Sequence, residues 1–259
     1  MFLPWYSAVF AIALFVGMTV MTMIGLQIGR RRRVADPENY QAGLGAIDAA
    51  VFGLLGLLVA FTFSGAAARF DERRTLIVQE ANDIGTAYLR LDLLREQDQP
   101  ALRQMMRDYV DSRLRTYRLL PDVPASNAEL ARLPALQTAL WQAAVLATSR
   151  EGMPTSAAQL LLPALNDMID ITTTRTMATL RHPPLVVWTM LFGLSLVAAV
   201  LAGHAMADSR SSSKLHVLVF PAVMALVMNV VIDMEHPRLG LITVELYDQA
   251  LEGTRAAMN

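Results

Sequence analysis

The sequence predicts an all-α integral membrane protein: four transmembrane helices, with a helical extramembrane bundle inserted between helices 2 and 3. Three observations carry this prediction. Four apolar runs are long enough to cross a bilayer, since about 20 residues rising about 1.5 Å each cover a hydrocarbon core of about 30 Å. The chain of 259 residues is 54% hydrophobic and 17% charged, against about 25% charged in soluble domains. The polar middle shows apolar residues at three-and-four spacing and no period-two alternation.

Residues 5–29, WYSAVFAIALFVGMTVMTMIGLQIG, form the first run. Its positive charge follows the apolar stretch, so it reads as an uncleaved anchor and not as a secretory leader. Residues 45–65 form the second span and 185–206 the third. The fourth, 215–232, is shorter and contains Pro221, a bend that neighbouring helices tolerate in a span. The chain therefore divides into 1–65 (spans one and two, joined by the basic loop 30–44), the bundle 66–182, 183–232 (spans three and four) and an acidic tail, 233–259.

Orientation follows from the short loops. Residues 30–44 carry Arg30, Arg31, Arg32 and Arg33 against Asp36 and Glu38, and 207–214 carry Arg210 and Lys214 against Asp208. Both loops are expected on the cytoplasmic side of a bacterial inner membrane. Both termini and the bundle then lie outside. The bundle, with 14 arginines and 14 acids, adds no bias.

In the middle section Ile77, Ala81, Ile84, Tyr88 and Leu91 alternate in steps of four and three. The second span is therefore expected to continue out of the membrane as one stalk; Gly65 and Gly85 only weaken it. A helix over 101–119 buries Leu102, Met106, Tyr109 and Val110. SNAE, 126–129, has the spacing of a capping box and opens a helix expected to reach Arg150, disturbed at Pro134. A last bundle helix is expected over 155–181, with a kink at Pro163. His182-Pro183-Pro184 ends it.

The second span has two readable faces. Gly45, Ala49, Gly53, Gly56, Ala60 and Ser64 fall on one line of small residues. In lipid, where little hydrophobic drive acts between helices, such a face permits close backbone approach. It packs either against the other spans of the same chain or against copies of itself around an axis. Asp48 lies on another line, with Phe52, Leu55, Val59 and Thr62. It is either an interfacial group, capping or paired with Arg30–33, or a charge on a water-filled path. Phe61 and Phe63 are the aromatic residues of the span's outer half, and Thr62 can bond its own helix.

RFDERR follows directly. Arg69, Asp71, Arg73 and Arg74 read either as a solvated anchor or, repeated around an axis, as an arginine ring attracting anions. After the fourth span Pro237 and Gly240 demand a turn, with Asp233, Glu235 and Arg238 near the same plane. This is either a plain exit turn or half of a salt-bridged collar closing on the RFDERR arginines. In the collar reading Arg238 and Asp233 are energetically coupled.

Several function classes are excluded. A net charge of −1 offers no basic field for nucleic acid. The absence of cysteine removes disulfides and thiolate chemistry. His182, His204, His216 and His236 fall in no metal-ligand spacing, and two imidazoles flanking one loop (His204, His216) make a poor site. No phosphate loop or nucleophile elbow is present. No catalytic, cofactor or metal site is expected, and the chain reads as a non-enzyme. The expected partners are the lipid bilayer, further copies of the chain, and anions.

LVAFTFSGAAARFDERR, EANDIGTAYLRLDLL at 80–94, HPPLVVW at 182–188 and DMEHPRLGLI at 233–242 together resemble, in order, the bestrophin-like family of bacterial membrane proteins (the DUF4239 domain). The resemblance spans about 45–245. It implies four spans per subunit, a pentameric anion channel and a hydrophobic neck, for which Phe61 and Phe63 are the available aromatics. In true bestrophins the region between spans two and three is cytosolic, whereas the loop charges here place it outside. Two functions stand open: a homo-oligomeric anion pathway, or a non-conducting, membrane-anchored helical module for interaction or envelope sensing. A pathway turns the small-residue face toward an axis; a module buries it within one subunit.

Overall fold

Four helices are long and apolar enough to cross a membrane, and every regular element among the described residues is helical. The computed structural model describes residues 6–35, 44–120, 122–208, 214–238 and 240–258. Most of the predicted basic loop after Arg33, together with Arg210, lies outside the described residues. The elements are α1 (Tyr6–Ala35), α2 (Leu44–Arg90), α3 (Gln99–Arg118), α4 (Val123–Leu130), α5 (Leu133–Thr148), α6 (Thr155–Leu180), α7 (Leu185–Ala205), α8 (Lys214–Glu235) and α9 (Glu245–Ala256).

The expected stalk is one helix of 47 residues, about 70 Å long at 1.5 Å per residue. Its lower part lies against α7 and α8 and its upper part against α6 and α9. Ile77, Ala81, Ile84, Tyr88 and Leu91 join Leu102, Met106, Tyr109 and Val110 in the bundle core. A second core, around Met18, Leu55, Leu191, Ala198 and Met228, holds the spans together.

The closest backbone approach joins α1 to α7. A Cβ on Gly25 would stand 2.0 Å from the Val200 carbonyl oxygen, and one on Gly203 2.0 Å from that of Thr22. One on Gly29 would meet the Ala207 Cβ at 2.5 Å. Only glycine fits at these crossings. At the same end Arg33 Nη1 donates to the Ala207 carbonyl at 3.4 Å. The ends of α1 and α7 therefore share one side, and the bundle occupies the other.

Two expectations are corrected. The helix read as 126–150 is two helices, separated at Ala131–Arg132, because Pro134 sits in the first turn of α5, where its missing N–H costs nothing. The start of α4 lies upstream of SNAE: the Asp122 carboxylate accepts from the Ala125 N–H at 3.1 Å. Ser126 donates instead to the Thr116 carbonyl at 2.7 Å, and Glu129 accepts from Ser112 Oγ at 2.7 Å. The supposed capping box ties α4 to α3. The acidic tail contains a helix, α9, which docks on the bundle through Leu251 and through Arg255, whose Nε and Nη2 donate to Asp111 at 2.8 and 3.0 Å.

Candidate functional site

The second span turns its small face outward. Gly45, Ala49, Gly53, Gly56, Ala60 and Ser64 are all exposed in the single chain. A Cβ added to Gly45, Gly53 or Gly56 would meet nothing within 4 Å. Phe61 and Phe63 also point outward, 67% and 43% exposed. The opposite line is turned in: Leu55, Thr62 and Ala66 are buried, and Phe52 meets Phe220 edge to face at 5.8 Å. Thr62 Oγ1 donates to the Leu58 carbonyl at 2.8 Å. Thr62 therefore does not share an outward face with Phe61 and Phe63. Asp48 is half-buried on the inward line.

Above this span α2 brings its arginines against the end of α8. Arg69 Nε donates to Glu235 Oε1 at 2.8 Å, with Nη2 on the same oxygen. Arg73 is buried and fastens four carbonyls at two helix ends: Nε to that of Ala178 at 3.1 Å, Nη1 to those of Met234 and Glu235 at 3.3 and 2.9 Å, and Nη2 to that of Arg181 at 2.8 Å. These are the orphan carbonyls that end α6 and α8. His182 Nδ1 lies 3.3 Å from Glu235 Oε2, and its ring stacks on His236 at 4.8 Å. Burial lowers the His236 pKa from its ordinary value.

The other collar residues are engaged elsewhere. Arg74 bonds the Tyr247 hydroxyl and lies 3.5 Å from Asp71. Arg238 makes a bidentate pair with Asp248, at 2.7 and 2.8 Å. Asp233 is buried and accepts from the Leu241 N–H at 2.9 Å; a Cβ on Gly240 would stand 2.3 Å from Asp233 Oδ1, so the carboxylate fits only against glycine. The coupling expected between Arg238 and Asp233 is corrected: each has its own partner. The arginine ring is corrected too, because Arg73 is consumed within its own chain.

Behind the collar lies a cluster that the sequence reading missed. Glu80, fully buried, receives Arg113 through Nε to Oε1 and through Nη2 to Oε2 at 3.0 Å, and Arg175 through Nη1 to Oε2. Burial pushes the Glu80 carboxyl up, and the two guanidinia outweigh it, leaving it below the ordinary carboxylate value. The guanidinia of Arg113, Arg175 and Arg238 lie 5.1, 4.6 and 4.3 Å from the centre of the Tyr117 ring, each within cation–π range. Tyr109, buried beside this group and bonded to Thr172 Oγ1 at 2.9 Å, has its hydroxyl pushed up to about 12 by burial. Glu80 stands on the apolar seam of α2, and Arg113 and Arg175 on the apolar faces of α3 and α6. A charge on each of three buried faces was the signal available.

A family model described as a Bestrophin-like domain matches residues 9–246. No curated protein and no solved structure matches the chain.

Proposed function

Because the chain belongs to the bestrophin-like family, and is a multi-pass membrane protein by its four spans, we propose that it is the protomer of a homo-oligomeric pathway for anions. One observation carries the reading: the small-residue face of α2 is open along the whole span. The exposed face of α1 bears large aliphatic side chains, Val9, Ile12, Val16 and Val20, as lipid contact asks. A glycine- and alanine-lined face suits close approach by another helix. Copies gathered on this face would bring Phe61 and Phe63 near the axis as a hydrophobic constriction. The loop charges support an inner-membrane orientation with the bundle outside. Nothing in the reading calls for enzymatic chemistry.

The second reading, a membrane-anchored helical module, is favoured by the absence of charge on the exposed small face from Ala49 to Ser64. Chloride efflux from proteoliposomes separates the two. The pathway predicts efflux above empty vesicles. Gly53→Leu and Gly56→Leu, placed where the protomer leaves open space, should bring efflux to background without lowering the melting temperature of the detergent-dispersed monomer. No efflux from folded, inserted wild-type protein would leave the module reading.

A further inference from the structure

The charged groups behind the collar open on a cavity of about 310 Å³ between α2, α3, α4, α6 and the turn after α8. Its walls are largely apolar, with Leu76, Leu120, Val123 and Leu130 among them, and four arginines line it: Arg73, Arg113, Arg175 and Arg238. Glu235 is the one carboxylate on the wall among the described residues.

The charges do not balance. Counting the wall arginines with Arg69, and the carboxylates that bond or pair with them, five guanidinia face Glu80, Glu235 and Asp248. Two positive charges remain over, of which Asp233, buried two residues from Glu235, offsets one. Buried charge left uncompensated is costly, and an anion in the cavity would offset it. Donors are also to hand. Arg113 uses Nε and Nη2 on Glu80 and Tyr117, and Arg175 uses Nη1 on Glu80. Arg113 Nη1 and Arg175 Nη2 make no hydrogen bond to the described protein. The Tyr117 ring, touched by three guanidinia, holds them in fixed positions, the preorganisation that a carboxylate or phosphate site needs.

The geometry points to a binding site for a small amphipathic anion: a carboxylate head on the Arg113–Arg175 pair, and a short aliphatic body against the apolar walls. At about 30 Å³ per heavy atom, the volume share of a water in the liquid, the space takes roughly ten heavy atoms, the size of octanoate. The cavity lies on α2 at Arg73 and Leu76, about three turns beyond Ser64, where α2 leaves the predicted span. A ligand that partitions to the membrane surface would reach it readily. The inference does not require conduction.

The test is saturable thermal stabilisation of the full chain in nanodiscs of phosphatidylcholine, titrated with octanoate. Octanol, octylammonium and acetate are the controls for body without anion, reversed charge and anion without body. Octanoate should stabilise saturably and the three controls should not. Arg175→Gln should weaken octanoate by roughly tenfold or more, the equivalent of one charged hydrogen bond. Asn127→Trp fills the cavity from an exposed position on α4, spares the ionic cluster, and should abolish the effect even if Arg175→Gln fails to fold. Equal stabilisation by octanol or octylammonium, or undiminished octanoate binding in Asn127→Trp, would overturn the site. Stabilisation by long-chain phosphatidic acid in the disc, with none by octanoate, would replace the soluble ligand by a lipid headgroup and overturn the inference as stated.

Discussion

Glu80→Leu is expected to destabilise the bundle by about 3–5 kcal/mol, the range for breaking a buried ion pair by removing one partner. The upper part of that range applies, since two buried guanidinia share this carboxylate and both lose it. Arg113 is 1% exposed, so the charge it is left with stays largely buried. Denaturant unfolding in detergent, followed by helix content, reads the loss. Glu80→Leu combined with Arg113→Met should lose clearly less than the sum of the two single changes, because the double variant removes charge together with countercharge. A loss under 1 kcal/mol, or strict additivity, would mean that the cluster is not a coupled unit. The pH dependence has a definite sign. The folded carboxyl lies below its ordinary value, so its contribution is complete above that value and is lost as pH falls through the folded one. Alkali should leave it untouched.

Gly203→Val and Gly25→Val should each separate α1 from α7 and cost at least the 1–3 kcal/mol typical of overpacking. The added Cβ would meet a backbone carbonyl at 2.0 Å, and a carbonyl in a helix has no rotamer to yield. Even alanine should be damaging at these two positions. Gly193 provides the contrast on α7: a Cβ there meets nothing within 4 Å. Gly193→Ala should be neutral or stabilise slightly, by helix propensity. Melting temperature in detergent separates the cases. Equal tolerance of alanine at Gly203 and Gly193 would contradict the packing of α1 on α7.

The same two residue types mark what could be read in advance. Apolar periodicity exposed the spans, the stalk and the seam from Ile77 to Leu91, because burial imposes a 3.6-residue pattern whatever the partner. The pairing of faces was not legible. Small residues lie on α1 and α7 as well as on α2, and composition alone does not say which face closes on which; here Gly25 and Gly203 meet within the chain while Gly53 and Gly56 are left open. The tail read as a charged segment because its net charge hid Val244, Leu251 and Met258, spaced by seven residues and all in the core. Arg69 and Glu235 were placed at one level by the lengths of their spans. The preference of Arg238 for Asp248 depended on the return of α9, which nothing local announces. Glu80, Arg113 and Arg175 were individually visible as charges on apolar faces, but three separate helices had to be docked before they formed one cluster.

Cross-linking tests the oligomeric face most directly, since the chain contains no cysteine. Single cysteines at Gly53 and Ala60 on α2, compared with one at Val16 on the exposed face of α1, can be oxidised in native membranes. Disulfide-linked dimers from Gly53→Cys and Ala60→Cys, with none from Val16→Cys, is the result that assembly around α2 predicts. Monomers at all three positions, or equal dimers from Val16→Cys, would contradict it.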